Sequence, residues 1–490
     1  MTPSHLLDAK APESLHAQVR RAVIWRSGSQ IVGQMVQWAS TFLVIRLLDP
    51  RDYGLFAMAQ VVLVFLNMLN GFGLASGLIQ AADVTERQVR QLFGMLIALN
   101  AALAAFQLML APLAAAYYRQ PIVADMLRVQ ALLYLTTPFI ALPFALLSRR
   151  MDFRHQARAN ICASIAAAAA ALGGALAGWG VWTLVIAPLV LFAVRGAMMT
   201  WSARSFVWPV FDFRGAGHLA RYGGIVAAGQ LFWFGQSQAD VFIAGRLFSP
   251  HMLGIYTTSL FLAQIFVSKV VPPLNEVAFS AYARIQHDPD AIAAAFVRSV
   301  KIIMAAALPF YFGLAVTAEP LVLTALGPKW QEAAPIVQLL ALAMPLMTLL
   351  VLYTPACDAL GRPGVGVSNG AIGAGILATG FLIGAQWGPV GLATAWIVAY
   401  PIYLAISSYR ALPVIGASGR AIVMAIAPVL VASSVMAGSV MLVDRGLPAL
   451  SPLPRLAILV AAGAMVYTGW LVLFARATLS ELIATVKRSG

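Results

Sequence analysis

The stretch Arg46-Leu47-Leu48-Asp49-Pro50-Arg51-Asp52-Tyr53-Gly54-Leu55-Phe56 returns 200 residues later as Arg246-Leu247-Phe248-Ser249-Pro250-His251-Met252-Leu253-Gly254-Ile255-Tyr256. Arg, Leu, Pro and Gly hold their places in both copies, and Gln30 and Gln230 share the spacing. Each copy follows a long apolar run. Arginine suits the negative end of a closing helix, proline stops its continuation, and glycine permits a tight re-entry. These residues read as a turn between two helices rather than as ligands. A second echo joins Pro112-Leu113 to Pro320-Leu321, and a third joins Trp179-Gly180 to Trp387-Gly388, both at an offset of 208. Three echoes in one order, each at an equivalent junction between apolar runs, indicate a duplicated unit.

The chain around this repeat is made for lipid. Of its 490 residues, 61% are hydrophobic and only 10% charged, and the mean hydropathy is +0.84. Soluble domains average about 25% charged residues, so a soluble fold of this size lacks the charges to cover itself. Only helices and closed barrels satisfy the backbone inside hydrocarbon. Uninterrupted apolar runs such as Ile161–Ala177 exclude the alternating signal of barrel strands. At about 20 apolar residues per span, fourteen helices are expected, at about 27–47, 54–79, 91–116, 125–147, 159–178, 181–201, 222–245, 252–273, 297–318, 334–356, 365–385, 389–409, 420–442 and 454–475.

The net charge of +14 is read as cytoplasmic loop charge and not as a nucleic-acid footprint. Arg20, Arg21 and Arg26 precede the first span, Arg149, Arg150, Arg154 and Arg158 follow the fourth, and Lys487 and Arg488 close the chain. Both termini are therefore expected in the cytoplasm. Cys162 and Cys357 fall in or beside apolar segments and give neither a disulfide framework nor a metal spacing. The first twenty residues lack the apolar core of a signal peptide.

The expected organisation is a cytoplasmic segment 1–26, an N-lobe 27–204, a C-lobe 222–411, two additional helices within 420–475 and a cytoplasmic tail 476–490. A repeat unit of six spans gives both copies one orientation. The lobes are then related by a pseudo-twofold axis along the membrane normal, with a path between them. The fold class is an all-α polytopic membrane protein.

The run Arg46–Phe56, followed by Gly71-Phe72-Gly73-Leu74 and Leu78-Ile79-Gln80, resembles the polysaccharide transporter (Wzx-type) branch of the multidrug/oligosaccharidyl-lipid/polysaccharide flippase superfamily. So do Asp240 with Gly245-Arg246-Leu247, Leu253-Gly254-Ile255-Tyr256, Trp330, Leu360-Gly361-Arg362-Pro363 and Gly388-Pro389-Val390-Gly391-Leu392-Ala393. The resemblance runs from about Arg21 to Ala411 and fades over the last two spans. It implies a V-shaped pair of six-helix lobes. It also implies movement of an undecaprenyl-diphosphate-linked sugar unit from the cytoplasmic to the periplasmic leaflet of the bacterial inner membrane. One departure is Phe279-Ser280-Ala281, in the loop expected after span eight, where family members often carry a proline.

Such a cargo needs a polar path for its head group, with cations for phosphate and amides or aromatics for sugar. On the first span Gln30, Gln34, Gln37 and Thr41 recur at three- and four-residue steps and share one helical face. They either line a cavity or bond neighbouring helices, as glutamines in membranes also do. Asn67 and Asn70 lie one turn apart on span two, and Gln230, Trp233, Ser237 and Asp240 lie near one face of span seven. Few charges fall within spans. Arg128 and Lys269 lie within snorkelling distance of an interface, whereas Asp240 lies roughly 8 Å deep at 1.5 Å per residue, is expected to face water or a partner, and is the candidate for pairing with a cation of the facing lobe or for taking up a proton; whether a proton or a sodium ion couples to transport stays open. Expected partners are the lipid-linked glycan, membrane lipids and the polysaccharide polymerase or export machinery. No cofactor and no nucleic acid are expected.

No Walker motif and no long loop suited to glycosyl transfer occur in the sequence. The competing readings are a drug/cation antiporter of the same superfamily, which would carry acidic residues inside its first lobe, and a membrane polymerase or ligase, which would need a long periplasmic catalytic loop.

Overall fold

A computed structural model describes residues 15–69, 78, 84–150, 152–212, 234–474 and 476, with side chains from residue 28 onward except Leu69. Among them all regular structure is helical: α1 Leu15–Leu47, α2 Pro50–Leu69, α3 Glu86–Tyr118, α4 Pro121–Arg149, α5 Phe153–Leu176, α6 Val181–Ala203 and α7, 234–247. There follow α8 Pro250–Arg284, α9 Pro289–Val316, a short helix Ala318–Ala325, α10 Ala333–Ala359, α11 Pro363–Gly384, α12 Gly388–Ile415, α13 Gly419–Gly446 and α14 Pro452–Phe474, with single turns of 3-10 helix at Pro328–Trp330 and Ala385–Trp387. The protein is thus an all-α polytopic membrane protein. Ten stretches among the described residues are long and apolar enough to span a membrane, against the fourteen expected. One of them, Pro363–Ile415, holds both α11 and α12; α1 and α2 are not among the ten, and most of the expected seventh span lies outside the described residues.

The chain divides into two units, Met1–Phe234 and Gly235–Gly490. Within each unit the first and third echoes meet. In the first, the Asp49 backbone N–H donates to Asp52 Oδ2 at 3.3 Å, and a Cβ on Gly180 (φ +53°) would come within 3.1 Å of Asp52 Oδ1. In the second, Ser249 caps α8 by accepting from the Met252 N–H at 3.3 Å, and a Cβ on Gly388 (φ +72°) would lie 3.4 Å from Met252 Cε. Positions 52 and 252 therefore meet positions 180 and 388, each pair keeping the repeat offsets. A turn that only glycine adopts readily closes against the α1–α2 hairpin, and again against its second copy.

Several helices are interrupted where proline withholds an N–H. The α4 helix breaks at Ala131 and Thr137 ahead of Pro138, and both Thr136 and Thr137 hydroxyls donate to the Leu133 carbonyl, at 2.7 and 3.1 Å. Such side-chain repair lets a membrane helix bend without orphaning its backbone. The α8 helix breaks at Val270, before Pro272 and Pro273, and restarts as Val271–Arg284. This corrects the expected loop: Phe279-Ser280-Ala281 is helical, because the prolines sit in the first turn, where their missing N–H has no partner to lose. Val271 and Tyr282 are its buried residues, and Asn275 Nδ2 donates to the Val351 carbonyl at 3.3 Å.

Beyond α6, residues 205–212 form no helix and lie against the start of α3. The Val210 N–H donates to the Arg90 carbonyl at 3.0 Å, Arg90 Nε to the Trp208 carbonyl at 3.0 Å, and Arg87 pairs with Asp212 at 3.0 Å. Gly94 permits the approach, since a Cβ there would overlap the Val210 carbonyl. In the second unit, α13 and α14 attach to the lobe by Arg455. Its guanidinium grips Asp444 in a two-point fork at 2.7 and 2.8 Å and reaches Glu319 at 3.1 Å, while Tyr467 donates to the Ala305 carbonyl at 2.7 Å.

Candidate functional site

The run of small residues on α5 determines where the first unit can hold anything. Ala167, Ala168 and Ala171 present only methyl groups toward α1, α2 and α6, and a cavity of about 380 Å³ lies among these four helices. Gly33 keeps α1 close to α5, since a Cβ there would come within 3.2 Å of Ser164 Oγ. Polar residues line the cavity on three of the four helices, Gln37, Ser40 and Thr41 on α1, Tyr53 on α2 and Ser164 on α5, while Thr183 on α6 stands in the wall with its hydroxyl closed off. None of its lining residues is charged. Thr183 is 1% exposed, and its hydroxyl has no hydrogen-bond partner among the described residues. A buried hydroxyl left unpaired costs about 1–3 kcal/mol.

The second unit is filled at the corresponding place. Asp240 is buried on α7, 1% exposed. Its Oδ2 accepts from the Tyr256 hydroxyl at 2.7 Å and its Oδ1 from the Val241 N–H at 2.8 Å. Trp396 Nε1 donates to the Tyr256 oxygen at 2.8 Å, and its ring lies parallel to Tyr400, 5.1 Å between centroids and 7° between planes. Tyr403 donates to Gln236 Oε1 at 3.4 Å and lies over Gly373, where a Cβ would clash with its ring. Tyr256, Trp396 and Tyr400 were not read from the sequence as site residues. The repeat offers the signal that finds them: Ser40, Phe56, Pro188 and Phe192 line the first unit's cavity, and the same offsets of 200 and 208 lead to Asp240, Tyr256, Trp396 and Tyr400.

The expected site residues fall into distinct groups. Gln37 and Thr41 line the cavity; Gln30 is exposed and Gln34 half-buried, and neither lines it. Asn67 is exposed near the end of α2, while Asn70, Gln230 and Trp233 lie outside the described residues. Arg128 is exposed and paired with Asp125 at 2.8 Å. Lys269 is exposed at the α8 break. Asp240 is enclosed by its own unit's tyrosine rather than set on an open face. Among the described residues no three acidic, cysteine or histidine side chains cluster as a metal site would require.

Comparison with known proteins places this geometry. Residues 43–335 match the family described as polysaccharide biosynthesis protein. The succinoglycan biosynthesis transport protein ExoT of Rhizobium meliloti is 27% identical over 71% of this chain and 70% of its own length. The teichuronic acid biosynthesis protein TuaB of Bacillus subtilis is 24% identical over 81% of this chain and 85% of its own. Among solved structures, the lipid II flippase MurJ in an inward closed conformation superposes with a TM-score of 0.74 at 12% identity, covering 93% of this chain and all of that one. An inward-facing multidrug resistance MATE family transporter of the MOP superfamily gives 0.60 at 14% identity, over 80% of this chain and 98% of that one. Identities this low speak for fold alone, and the fold they share with this chain is the one the duplicated hairpins build. With more than half its length matching a single family, the chain belongs to the polysaccharide biosynthesis protein family.

Proposed function

We propose that the chain flips an undecaprenyl-diphosphate-linked oligosaccharide unit from the cytoplasmic to the periplasmic leaflet of the bacterial inner membrane, by alternating access, for exopolysaccharide or lipopolysaccharide synthesis. The observation that carries this reading is the uncharged cavity, with hydroxyl and amide groups set among apolar walls, inside a lobe of apolar helices. Glycans are recognised by neutral donors and acceptors beside aromatic rings, and Gln37, Thr41, Ser164 and Tyr53 offer that set. Family membership, and relatives named for succinoglycan transport and teichuronic acid synthesis, support the same class of cargo. In this reading the buried Asp240–Tyr256–Trp396 chain holds the C-lobe in one packing, and Asp240 is where proton or sodium coupling would act.

The drug/cation antiporter reading draws on the MATE likeness. It is disfavoured because the N-lobe cavity has no carboxylate to hold a cation. The test is deletion of the gene and complementation. Cells without the protein are expected to accumulate the lipid-linked unit with its sugar on the cytoplasmic side and to stop exporting polymer. Undiminished export, with no accumulated intermediate, would overturn the proposal.

A further inference from the structure

Arg195 is the one charged residue within α6, Val181–Ala203. It stands eight residues before the end of that helix, about 12 Å inside at 1.5 Å per residue. Its Nε donates to Asn160 Oδ1 on α5 at 2.6 Å. Asn160 lies seven residues into α5, at nearly the same depth, so the contact runs across the two helices rather than along them. A cation within a spanning segment is costly and calls for an opposite charge. Asn160 supplies only a neutral carbonyl, and no carboxylate pairs with Arg195 among the described residues. Both Nη groups are without a partner there, on a residue that is half-buried rather than enclosed.

Resting on the flippase reading above, we propose that Arg195 is the seat of a phosphate oxyanion in the N-lobe, with Asn160 as its positioning residue. With Nε occupied, the guanidinium keeps the edge formed by its two Nη groups, and that edge matches two oxygens of one phosphate. Arg195 follows Leu191 by four residues and Asn160 precedes Ser164 by four, so the pair stands one turn beyond the cavity walls that Leu191 and Ser164 form. Gln60, half-buried, holds the same relation to Phe56 on α2. The charge absent from the cavity is thus supplied at its end. The second unit repeats the device at a shallower depth. Arg410 on α12 donates from Nε to Asn369 Oδ1 at 2.9 Å and from Nη2 to Ser368 Oγ at 2.6 Å, both on α11. It stands five residues before the end of its helix and is exposed, with its fork partly taken. Only Arg195 holds the open edge deep in a span. A diphosphate on an isoprenoid carrier and the head group of an anionic phospholipid both offer the oxygens that such an edge accepts.

The experiment measures binding to the purified full-length protein in a non-ionic detergent. Farnesyl diphosphate is compared with farnesol, and dioctanoyl phosphatidylglycerol with dioctanoyl glycerol, while thermal unfolding of the unliganded protein is followed alongside. At least one phosphate-bearing probe is expected to bind about tenfold more tightly than its neutral counterpart, the worth of one charge-assisted pair. The pair of probes with the larger ratio names the source of the phosphate. Arg195→Gln should remove that preference, and Arg195→Lys should keep part of it. Asn160→Asp separates a seat from a structural role. A carboxylate there pairs with Arg195 and neutralises it, so the preference should vanish while Tm holds or rises. No preference in the unaltered protein, or a preference unchanged in Arg195→Gln or Asn160→Asp, would overturn the proposal. The deletion test above decides the flippase reading separately. Export lost on deletion with the preference unchanged in the variants removes the seat and leaves the flippase. Export intact on deletion with the preference lost in the variants keeps the seat and removes the cargo assignment.

Discussion

At Asp240 both carboxylate oxygens are engaged, one by the Tyr256 hydroxyl and one by the Val241 N–H. A carboxylate within a span is expensive, about 2.5–3.5 kcal/mol on the insertion scale, so its retention needs these donors. An amide in its place would turn one donor against another, because the Asn –NH₂ cannot accept from either partner. Asp240→Asn is therefore expected to lose about 1–3 kcal/mol of stability and most polymer export. Tyr256→Phe should resemble it, and the double variant should cost less than the sum, with a coupling of about 0.5–3 kcal/mol. Thermal unfolding in detergent together with export in cells measures this cycle; full stability and export in Asp240→Asn would sink it. The glutamine stripe allows a finer test. Gln37 lines the cavity and Gln34 does not, so Gln37→Leu should lower export per unit of membrane-inserted protein far more than Gln34→Leu. Equal effects would mean that both amides only bond neighbouring helices.

Among the elements, the segment 205–212 is held by α3 through hydrogen bonds that depend on one missing side chain. Gly94→Val would drive a branched side chain into the Val210 carbonyl. The variant is expected to lift the segment from α3, and trypsin should then cleave faster after Arg204, which is exposed. An unchanged digestion pattern would show that the segment stays in place without the close approach. The helices α13 and α14 present the opposite case, because their Arg455 anchor is partly solvated. Even a two-point fork near water is worth little, so Arg455→Gln should cost no more than about 1 kcal/mol in thermal unfolding. Both elements lie where sequence reading was weakest: the segment 205–212 has no periodicity to read, and family resemblance fades over the last two spans.

For the whole molecule, the orientation read from arginine placement remains the reading to test. Reporters at Arg154, His287 and Arg488 should lie in the cytoplasm, and those at Arg119 and Trp330 in the periplasm. A periplasmic signal at Arg154 would overturn the span count, which rests on that arginine cluster. Most helix ends fall within a few residues of the apolar runs, but α1 begins twelve residues before its run, α9 begins eight before its own, and α8 continues eleven beyond its own. Hydrocarbon demands about 20 apolar residues per crossing, and that demand is written locally, residue by residue. The loop misplaced at Phe279-Ser280-Ala281 arose because a helix that carries polar residues looks like a loop when only apolar length is counted, and the same holds for the short helix Ala318–Ala325 between two expected spans.

What the sequence by itself determined is the membrane class, the helical fold, the duplication and its turns, since each follows from local composition or from identity at a fixed offset. Gln37 and Thr41 were legible as members of a polar stripe for the same reason. Only the tertiary structure decided which of those polar groups face a common cavity, and that Asp240 is closed off by Tyr256 and Trp396 rather than open. The physical reason lies in packing between distant segments: whether a hydroxyl meets a ring or a cavity depends on α5 alanines and α12 aromatics far away in the chain. A pattern along one helix cannot report which neighbour fills the space beside it.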